Sequence, residues 1–245
     1  LPKCCPMAAG RCPMIMASVD EGALCCAGGA PGCVMLFNGK DLTGLKGFIP
    51  DEKVDPASVW SVKDGVIHCK GEPAGYIRTT EKYSNYRLCF QWRWVGKKGG
   101  NSGCLLHIQD QDAVWPKSIE SQLHAGDAGD FWVIGGTDFK EHTNPDDRRV
   151  PKMKRSSENP VGQWNRMAVL CDANTIRVAV NGVLQNVATE TTVTEGYIGW
   201  QSEGTPIEFR GLCLTPLEKM TEEQRENWME CPMQSGAEEA KQEAS

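Results

Sequence analysis

Side chains able to do chemistry alternate along one short run of the sequence, SIESQLH. Glu120, Gln122 and His124 occupy every second position of this run. Because successive side chains of a β-strand point to opposite faces, these three would share one face, and Ile119 and Leu123 would point into a core. A carboxyl, an amide and an imidazole in one row predict a site on the surface of a sheet.

A second run upstream, CLLHI, repeats the arrangement. Alternation points the side chain of His107 to the opposite face of the strand from Leu106 and Ile108. If the two strands pair, His107 joins Glu120 and His124 over one surface, where two imidazoles and a carboxylate can bind a divalent metal or transfer protons. The alternative interpretation is a solvated polar face with ordinary hydrogen bonds.

Composition and charge exclude several classes of function. The 245 residues are 40% hydrophobic, which suffices for the core of one large β domain or two small ones. A net charge of -6, with no basic stripe interleaved with aromatics, argues against a nucleic-acid partner. The basic stretch 148–155 is interpreted as a solvated loop. No apolar run reaches the roughly 18 residues that predict a transmembrane helix.

Twelve cysteines form two populations. One population sits among apolar residues in strand-like runs and is interpreted as small buried core residues: Cys69, Cys89, Cys104, Cys171 and Cys213. The other lies in the first 33 residues, where a CC-x6-C pattern occurs twice. A disulfide framework with 15 alternative pairings is favoured there over a Cu(I) site. Cys231 follows the same Cys-Pro-Met pattern, so a link between the two ends of the chain is a further alternative.

Disulfides point to an oxidising compartment, so we expect an extracellular, periplasmic or cell-surface location. The chain begins at Leu1 without an apolar or Arg-rich leader, which we interpret as a mature chain whose signal peptide has been removed.

Short alternating strands separated by turn signals run from residue 34 to 217. Asn38-Gly39, Asp64-Gly65 and Asn181-Gly182 supply the positive backbone angles of tight turns, and the pattern predicts an all-β sandwich. Residues 138–162 lack strand periodicity and are predicted to form a surface loop. The predicted organisation is a Cys-rich extension over 1–33, the sandwich over 34–217, and a short helix capped by Thr221 with a disordered tail over 218–245.

Several pieces of the sandwich region, in order and at characteristic intervals, together resemble the 3-keto-disaccharide hydrolase domain family. They are Leu36-Phe37-Asn38-Gly39-Lys40-Asp41-Leu42, Trp60 with Asp64-Gly65, Asn101-Ser102-Gly103, Glu120 with Gln122, Gln163-Trp164-Asn165, Asn181-Gly182, Ile198-Gly199-Trp200-Gln201 and Phe209-Arg210. The resemblance implies a concanavalin A-like jelly roll. The commoner family pattern has an arginine at the position of His107, an aspartate at that of His124 and a histidine near Glu203.

The resemblance also implies a carbohydrate substrate oxidised at C3. A ketone at C3 acidifies the C2 proton, so a base can remove it and expel the C1 substituent, after which water adds. The implied catalytic residues are His107, Glu120 and His124, which are also the candidate ligands of a Ca, Mg, Mn or Zn ion; no organic cofactor is implied. The implied contacts to the sugar are Asn101, Trp115, Gln122, Gln201 and Arg210.

Two other functions remain open at this stage. The same fold is used by non-catalytic carbohydrate-binding modules, because fold alone does not give function. A structural extracellular protein is the other alternative, with the Cys-rich extension joining subunits into a homo-oligomer.

Overall fold

Antiparallel strands are the main regular structure of residues 32–231, the part of the chain that the computed structural model describes. In chain order they are β1 (Val34–Met35), β2 (Leu45–Phe48), β3 (Trp60–Lys63), β4 (Val66–Cys69), β5 (Gly75–Thr79), β6 (Tyr86–Trp94), β7 (Gly103–Ile108), β8 (Ser118–Gln122), β9 (Phe131–Ile134), β10 (Arg149–Val150), β11 (Asn165–Asp172), β12 (Thr175–Val180), β13 (Val183–Ala188), β14 (Tyr197–Ser202) and β15 (Ile207–Pro216). Short 3-10 turns lie at Pro56–Ser58 and Leu217–Lys219, and helix α1 spans Glu222–Glu226.

The strands form two sheets that pack face to face. Sheet I has eight strands in the order β13-β12-β11-β6-β15-β4-β3, with β1 paired to β15. Sheet II has seven strands in the order β10-β9-β8-β7-β14-β5-β2. Neighbours such as β6 and β15 are distant in sequence, so most pairings close long loops, as in jelly rolls. The predicted all-β jelly-roll sandwich is confirmed.

Two of the predicted tight turns connect neighbouring strands as hairpins. Asp64 and Gly65 have φ of 51° and 74° between β3 and β4, and Asn181 and Gly182 have φ of 49° and 79° between β12 and β13. Consecutive positive φ angles match the right-handed twist of the flanking strands, which is why Asn-Gly and Asp-Gly recur there. These turns set the register of both hairpins.

The core lies between the sheets and is rich in aromatic side chains. Phe90 of sheet I packs edge to face on Trp200 of sheet II, with ring centroids 5.8 Å apart. Ile119 and Leu123 are fully buried in the same core, as alternation predicts. The opposite face of β8 therefore points away from sheet I.

The outer face of sheet I is covered by the C-terminal segment. Cys231 forms a disulfide with Cys89 of β6 across a sequence separation of 142 residues. Cys213, beside Cys89 in the register of β15 and β6, is also disulfide-bonded. Both strand cysteines are buried in a hydrophobic cluster, as predicted, but they are disulfide-bonded and are not simple core residues. Cys231 is bonded to the sandwich and is not available to link the two ends of the chain.

Helix α1 begins as predicted. The Thr221 hydroxyl accepts a hydrogen bond from the Gln224 backbone N–H, and the Gln224 side chain accepts one from the Thr221 N–H, forming a capping box. The cysteine repeat, its predicted disulfides and role in oligomers, and the predicted tail lie wholly or largely outside the described residues. Over residues 32–231 no helix is long and apolar enough to cross a membrane.

Candidate functional site

A cavity of about 150 Å³ opens on the face of sheet II that points away from sheet I. We call it the site cavity. Strands β8 and β9 form its floor, and the loops next to them form its walls. Its lining residues are Asn101, Trp115, Glu120, Gln122, Trp132, Ile134, Arg148 and Glu203.

Glu120 lies at the centre of this floor because of the strand register. It is paired with Leu105 of β7 on one side and Trp132 of β9 on the other. Gly103 of β7 leaves room for the carboxyl, since a Cβ atom built there would lie 2.1 Å from Glu120 Oε1 and 2.4 Å from Gln201 Oε1. The absence of a side chain at Gly103 therefore allows Glu120 and Gln201 to approach each other.

The Glu120 carboxyl is almost completely enclosed. Only 5% of the residue is exposed. Burial raises the pKa of Glu120 to about 8, and the negative charge of Glu203 adds to this rise. A hydrogen bond with Gln201 and the positive charge of Arg148 act in the opposite direction. Glu120 therefore carries a proton at neutral pH, the state required of a general acid.

Polar atoms around Glu120 lack hydrogen-bond partners. They are Oε1 of Glu120, Oδ1 of Asn101 and Nε1 of Trp132. Leaving such buried groups unpaired costs free energy, typically about 1–3 kcal/mol each. Donors and acceptors on the same wall fit a ligand that carries several hydroxyl groups.

Gln122 lies in the predicted row beside Glu120, and His124 does not. Strand β8 ends at Gln122, whose Oε1 accepts hydrogen bonds from the N–H groups of Leu123 and His124, each at 2.8 Å. His124 thus lies in a turn, with Nδ1 3.1 Å from Oδ2 of Asp127. It lines a neighbouring cavity that shares Asn101, Gln122 and Trp132 with the site cavity. The prediction that alternation continues to His124 is wrong because the strand is two residues shorter.

His107 lies in the core between the sheets and not beside Glu120. Its φ of 55° interrupts the alternation of β7, and the pairing of β7 with β14 shifts register there. The imidazole packs edge to face on Tyr86 of sheet I, with ring centroids 5.8 Å apart, and Nδ1 lies 3.1 Å from the Val193 carbonyl oxygen. A backbone irregularity therefore overturns the predicted facing of His107.

Buried His107 predicts a loss of stability in acid. Burial lowers its pKa to about 4 from an ordinary 6.5. Between pH 6.5 and 4 the His107 imidazole is protonated in the unfolded chain and neutral in the folded one. The free energy of unfolding therefore falls as the pH drops through this range, by on the order of 2–3 kcal/mol. We expect His107→Asn, which tolerates the positive φ, to flatten this part of a urea-unfolding series. An unchanged slope in the variant would contradict the assignment.

Arg210 lies on the other sheet. Its Nε donates a 2.7 Å hydrogen bond to Gln91 Oε1, and its guanidinium stacks on Trp164, 4.1 Å from the ring centroid. Alternation along β15 places Arg210 on the outer face of sheet I, because Phe209 points into the core. The predicted contact of Arg210 with a sugar in the site cavity is therefore wrong.

The predicted metal ligands do not come together. His107 lies behind sheet II, and His124 lies in a turn beside the neighbouring cavity. Among residues 32–231 no group of three or more His, Cys, Asp or Glu side chains is arranged to hold a metal ion. The donor set predicted from the sequence therefore does not fit a divalent cation.

The family model of the 3-keto-alpha-glucoside-1,2-lyase-like domain matches residues 32–215. The chain belongs to this family. The match spans both sheets and the site cavity, and it confirms the resemblance inferred from the sequence. No curated protein matches the chain.

Solved structures with the same fold include proteins related to carbohydrates. A glycosyl hydrolase candidate from Parabacteroides distasonis is 23% identical with a TM-score of 0.58, covering 76% of this chain and 94% of that one. The carbohydrate-binding module CBM66 from Bacillus subtilis is 11% identical with a TM-score of 0.52, and the match covers 70% of this chain and 95% of that module. A Bacillus licheniformis β-glucanase is 13% identical with a TM-score of 0.50, covering 75% and 96%. At these identities the likeness establishes the fold alone. The family match supports a carbohydrate-active protein.

Sequence reasoning missed two charged residues of this lyase-like domain's cavity. Glu203 follows β14 and Arg148 precedes β10, so both come from loops that the strand pattern does not place. The family's histidine near Glu203 was the available signal for the first. The basic stretch is largely solvated, as predicted, but that pattern gave no signal that exposed Arg148 lines the cavity or that Arg149 forms an ion pair of 2.6 Å with buried Asp130.

Proposed function

We propose that this protein cleaves 3-keto-glycosides at C1, with Glu120 protonating the leaving oxygen. The observation that carries the proposal is the enclosed Glu120 carboxyl, one oxygen of which has no hydrogen-bond partner. The cavity around it offers polar groups that suit a ligand with several hydroxyl groups. A buried carboxyl that holds its proton at neutral pH suits donation to a departing alcohol. Family membership supports a substrate oxidised at C3.

The chemistry is an elimination followed by hydration. Removal of the C2 proton leaves an enolate that is delocalised onto the C3 carbonyl. The enolate re-forms the ketone, makes a C1=C2 double bond and breaks the C1–O bond, and the departing oxygen takes the Glu120 proton. Water then adds across the double bond to give the free 3-keto sugar. No oxidant or reductant is needed.

The cavity walls offer contacts for the sugar. The side-chain amides of Asn101 and Gln122 line the cavity and can bind hydroxyl groups, and the unpartnered oxygen of Asn101 would gain a hydrogen bond. Gln201 lies beside Glu120 beneath the cavity, where it would act on a sugar by positioning the carboxyl. Trp115 lies at the rim with 43% of its surface exposed. An exposed aromatic ring at a polar cavity suits stacking against the apolar face of a sugar.

Trp115→Ala should therefore weaken substrate binding and leave the chemical step intact. We expect KM for a 3-keto-glucoside to rise about 10-fold, with kcat within about twofold, because stacking of this kind contributes roughly 1–3 kcal/mol. Steady-state kinetics measures both values. A fall in kcat with an unchanged KM would contradict a binding role.

The proposal is tested by incubating the protein with a 3-keto-glucoside and, as control, the parent glucoside with a hydroxyl at C3. Mass spectrometry should detect release from the first and not from the second, because only the ketone acidifies C2. Binding without release of either would favour a non-catalytic carbohydrate-binding module. A parallel arm with chelator tests the predicted divalent metal: persistent release supports a route through the chain's own residues, and chelator-sensitive release restored by a divalent ion would require a metal.

The Cys89–Cys231 disulfide supports the accompanying proposal that the protein works outside the reducing cytosol. The site cavity is remote from this bond, on the opposite sheet. A reductant should therefore alter unfolding of the protein without abolishing sugar release.

A further inference from the structure

We infer that Glu203 is a second catalytic residue, whose carboxylate removes the C2 proton while Glu120 protonates the leaving oxygen. This inference rests on the proposed function and extends it, since elimination requires a base as well as an acid. Neither predicted histidine lines the site cavity to supply that base: His107 of β7 faces the core, and His124 lines the neighbouring cavity.

The position of Glu203 carries the inference. It follows β14 directly, forms a β-bridge with Asn101, and lines the site cavity together with Glu120. It also lines an adjoining open cavity of about 650 Å³ bordered by residues 71–74. Glu203 therefore borders both the space over Glu120 and the open space beside it.

The surroundings of the two carboxyls differ in the way that acid and base roles require. Glu120 is enclosed, and the charge of Glu203 adds to burial in favouring its protonated form. Burial also raises the pKa of Glu203, but a hydrogen bond from Asn101 and the charge of His124 favour its ionised form. Arg148 is the other cation on the cavity wall, and it acts on Glu120. Glu120 is therefore the more enclosed carboxyl of the two, and Glu203 is the more accessible one and accepts a hydrogen bond from Asn101.

The proton balance closes with these two groups. The C2–H bond breaks, its proton goes to a Glu203 oxygen, and its electron pair enters the enolate. When the C1–O bond breaks, the electron pair leaves on oxygen, which takes the proton of Glu120. Glu203 ends protonated and Glu120 ionised, and a proton returned through solvent restores the starting state.

The test separates the two proton transfers. A slowly cleaved 3-keto-glucoside is incubated with the protein in D₂O. NMR follows the exchange of its C2 proton for deuterium, and the release of alcohol is followed in parallel. We expect Glu203→Gln to slow both exchange and release by about 100-fold or more, and Glu203→Asp, which keeps the carboxylate, to recover part of each rate. Glu120→Gln should slow release more than exchange.

Glu195→Gln is the matched control, since exposed Glu195 lies before the opposite end of the same strand β14; its rates should equal those of the native protein. Suppose that the native protein releases alcohol and that Glu203→Gln exchanges the C2 proton at the native rate. This result would overturn the inference and leave the proposed function standing. If the native protein itself neither exchanges C2 nor releases alcohol, the proposed function fails and the role of Glu203 fails with it.

Discussion

Glu120→Gln should lower kcat/KM for a 3-keto-glucoside by about 10³-fold, because general acid catalysis typically contributes 10²–10⁴-fold. The substitution keeps the size of the side chain and removes the transferable proton. Since the loss is in the chemical step, kcat should fall much more than KM changes. Steady-state kinetics on the purified variant measures the effect, and activity within about 10-fold of the native protein would contradict the assigned role.

The same substitution should stabilise the fold in alkaline solution. The pKa of Glu120 is about 8 in the folded chain and near its ordinary 4.5 when unfolded. The folded state therefore holds the proton more tightly, and the stability associated with Glu120 is complete below pH 4.5 and is lost as pH rises through 8. At pH 8.5 we expect Glu120→Gln to raise the free energy of unfolding by about 4 kcal/mol relative to its effect at pH 4.5. Urea unfolding at the two pH values measures it.

Glu208→Gln is an informative control for both measurements. Glu208 is a buried carboxyl on sheet I, and it is paired with Arg93 and with His68, whose Nδ1 lies 3.0 Å away. Removing a paired charge should destabilise the fold and leave sugar release unchanged, the reverse of the result expected for Glu120→Gln. Equal behaviour of the two variants would show that Glu120 is only a structural carboxyl.

Gly103→Ala should reduce activity by about 100-fold while the protein stays folded, because displacements near 1 Å in an active site can cost that much. The added Cβ would lie 2.1 Å from Glu120 Oε1 and 2.4 Å from Gln201 Oε1. Both contacts are ends of side chains, so the carboxyl and the amide can move aside without a change in the backbone. Kinetics together with thermal unfolding should show low kcat at near-native stability.

Gly199→Ala provides the comparison on the same sheet. Its Cβ would lie 2.8 Å from the Ile108 side chain and 3.2 Å from the Ile77 carbonyl oxygen, away from Glu120. We expect lower thermal stability with activity retained in the folded fraction. If Gly103→Ala instead loses stability and keeps its specific activity, then close approach of Glu120 and Gln201 is not required for function.

Much of the fold follows from patterns that the sequence displays directly. Alternation and the Asp-Gly and Asn-Gly turns predicted the sandwich, and they placed Glu120 and Gln122 on the face opposite Ile119. The family resemblance added Asn101, Trp115 and Gln201, which the structure brings to or beside the same cavity. These predictions succeeded because each depends on regular strands or on short-range motifs.

The remaining features depend on departures from regularity and on long-range topology. A single positive φ turns His107 into the core, and an early strand end leaves His124 in a turn. The predicted contact between Arg210 and a sugar was wrong because alternation shows which side chains share a face of a strand, but not which sheet contains that strand. Glu203 and Arg148 enter the cavity from loops, where no periodicity specifies direction.

The bond between Cys89 and Cys231 also fixes how the domain would be presented to its surroundings. Cys33 packs in the same cluster as these two cysteines, and β1 runs beside β15, so the described chain both begins and ends on the outer face of sheet I. The site cavity opens on the outer face of sheet II. A tether that leaves the domain near Cys33 or Cys231 therefore departs from the face opposite the site cavity.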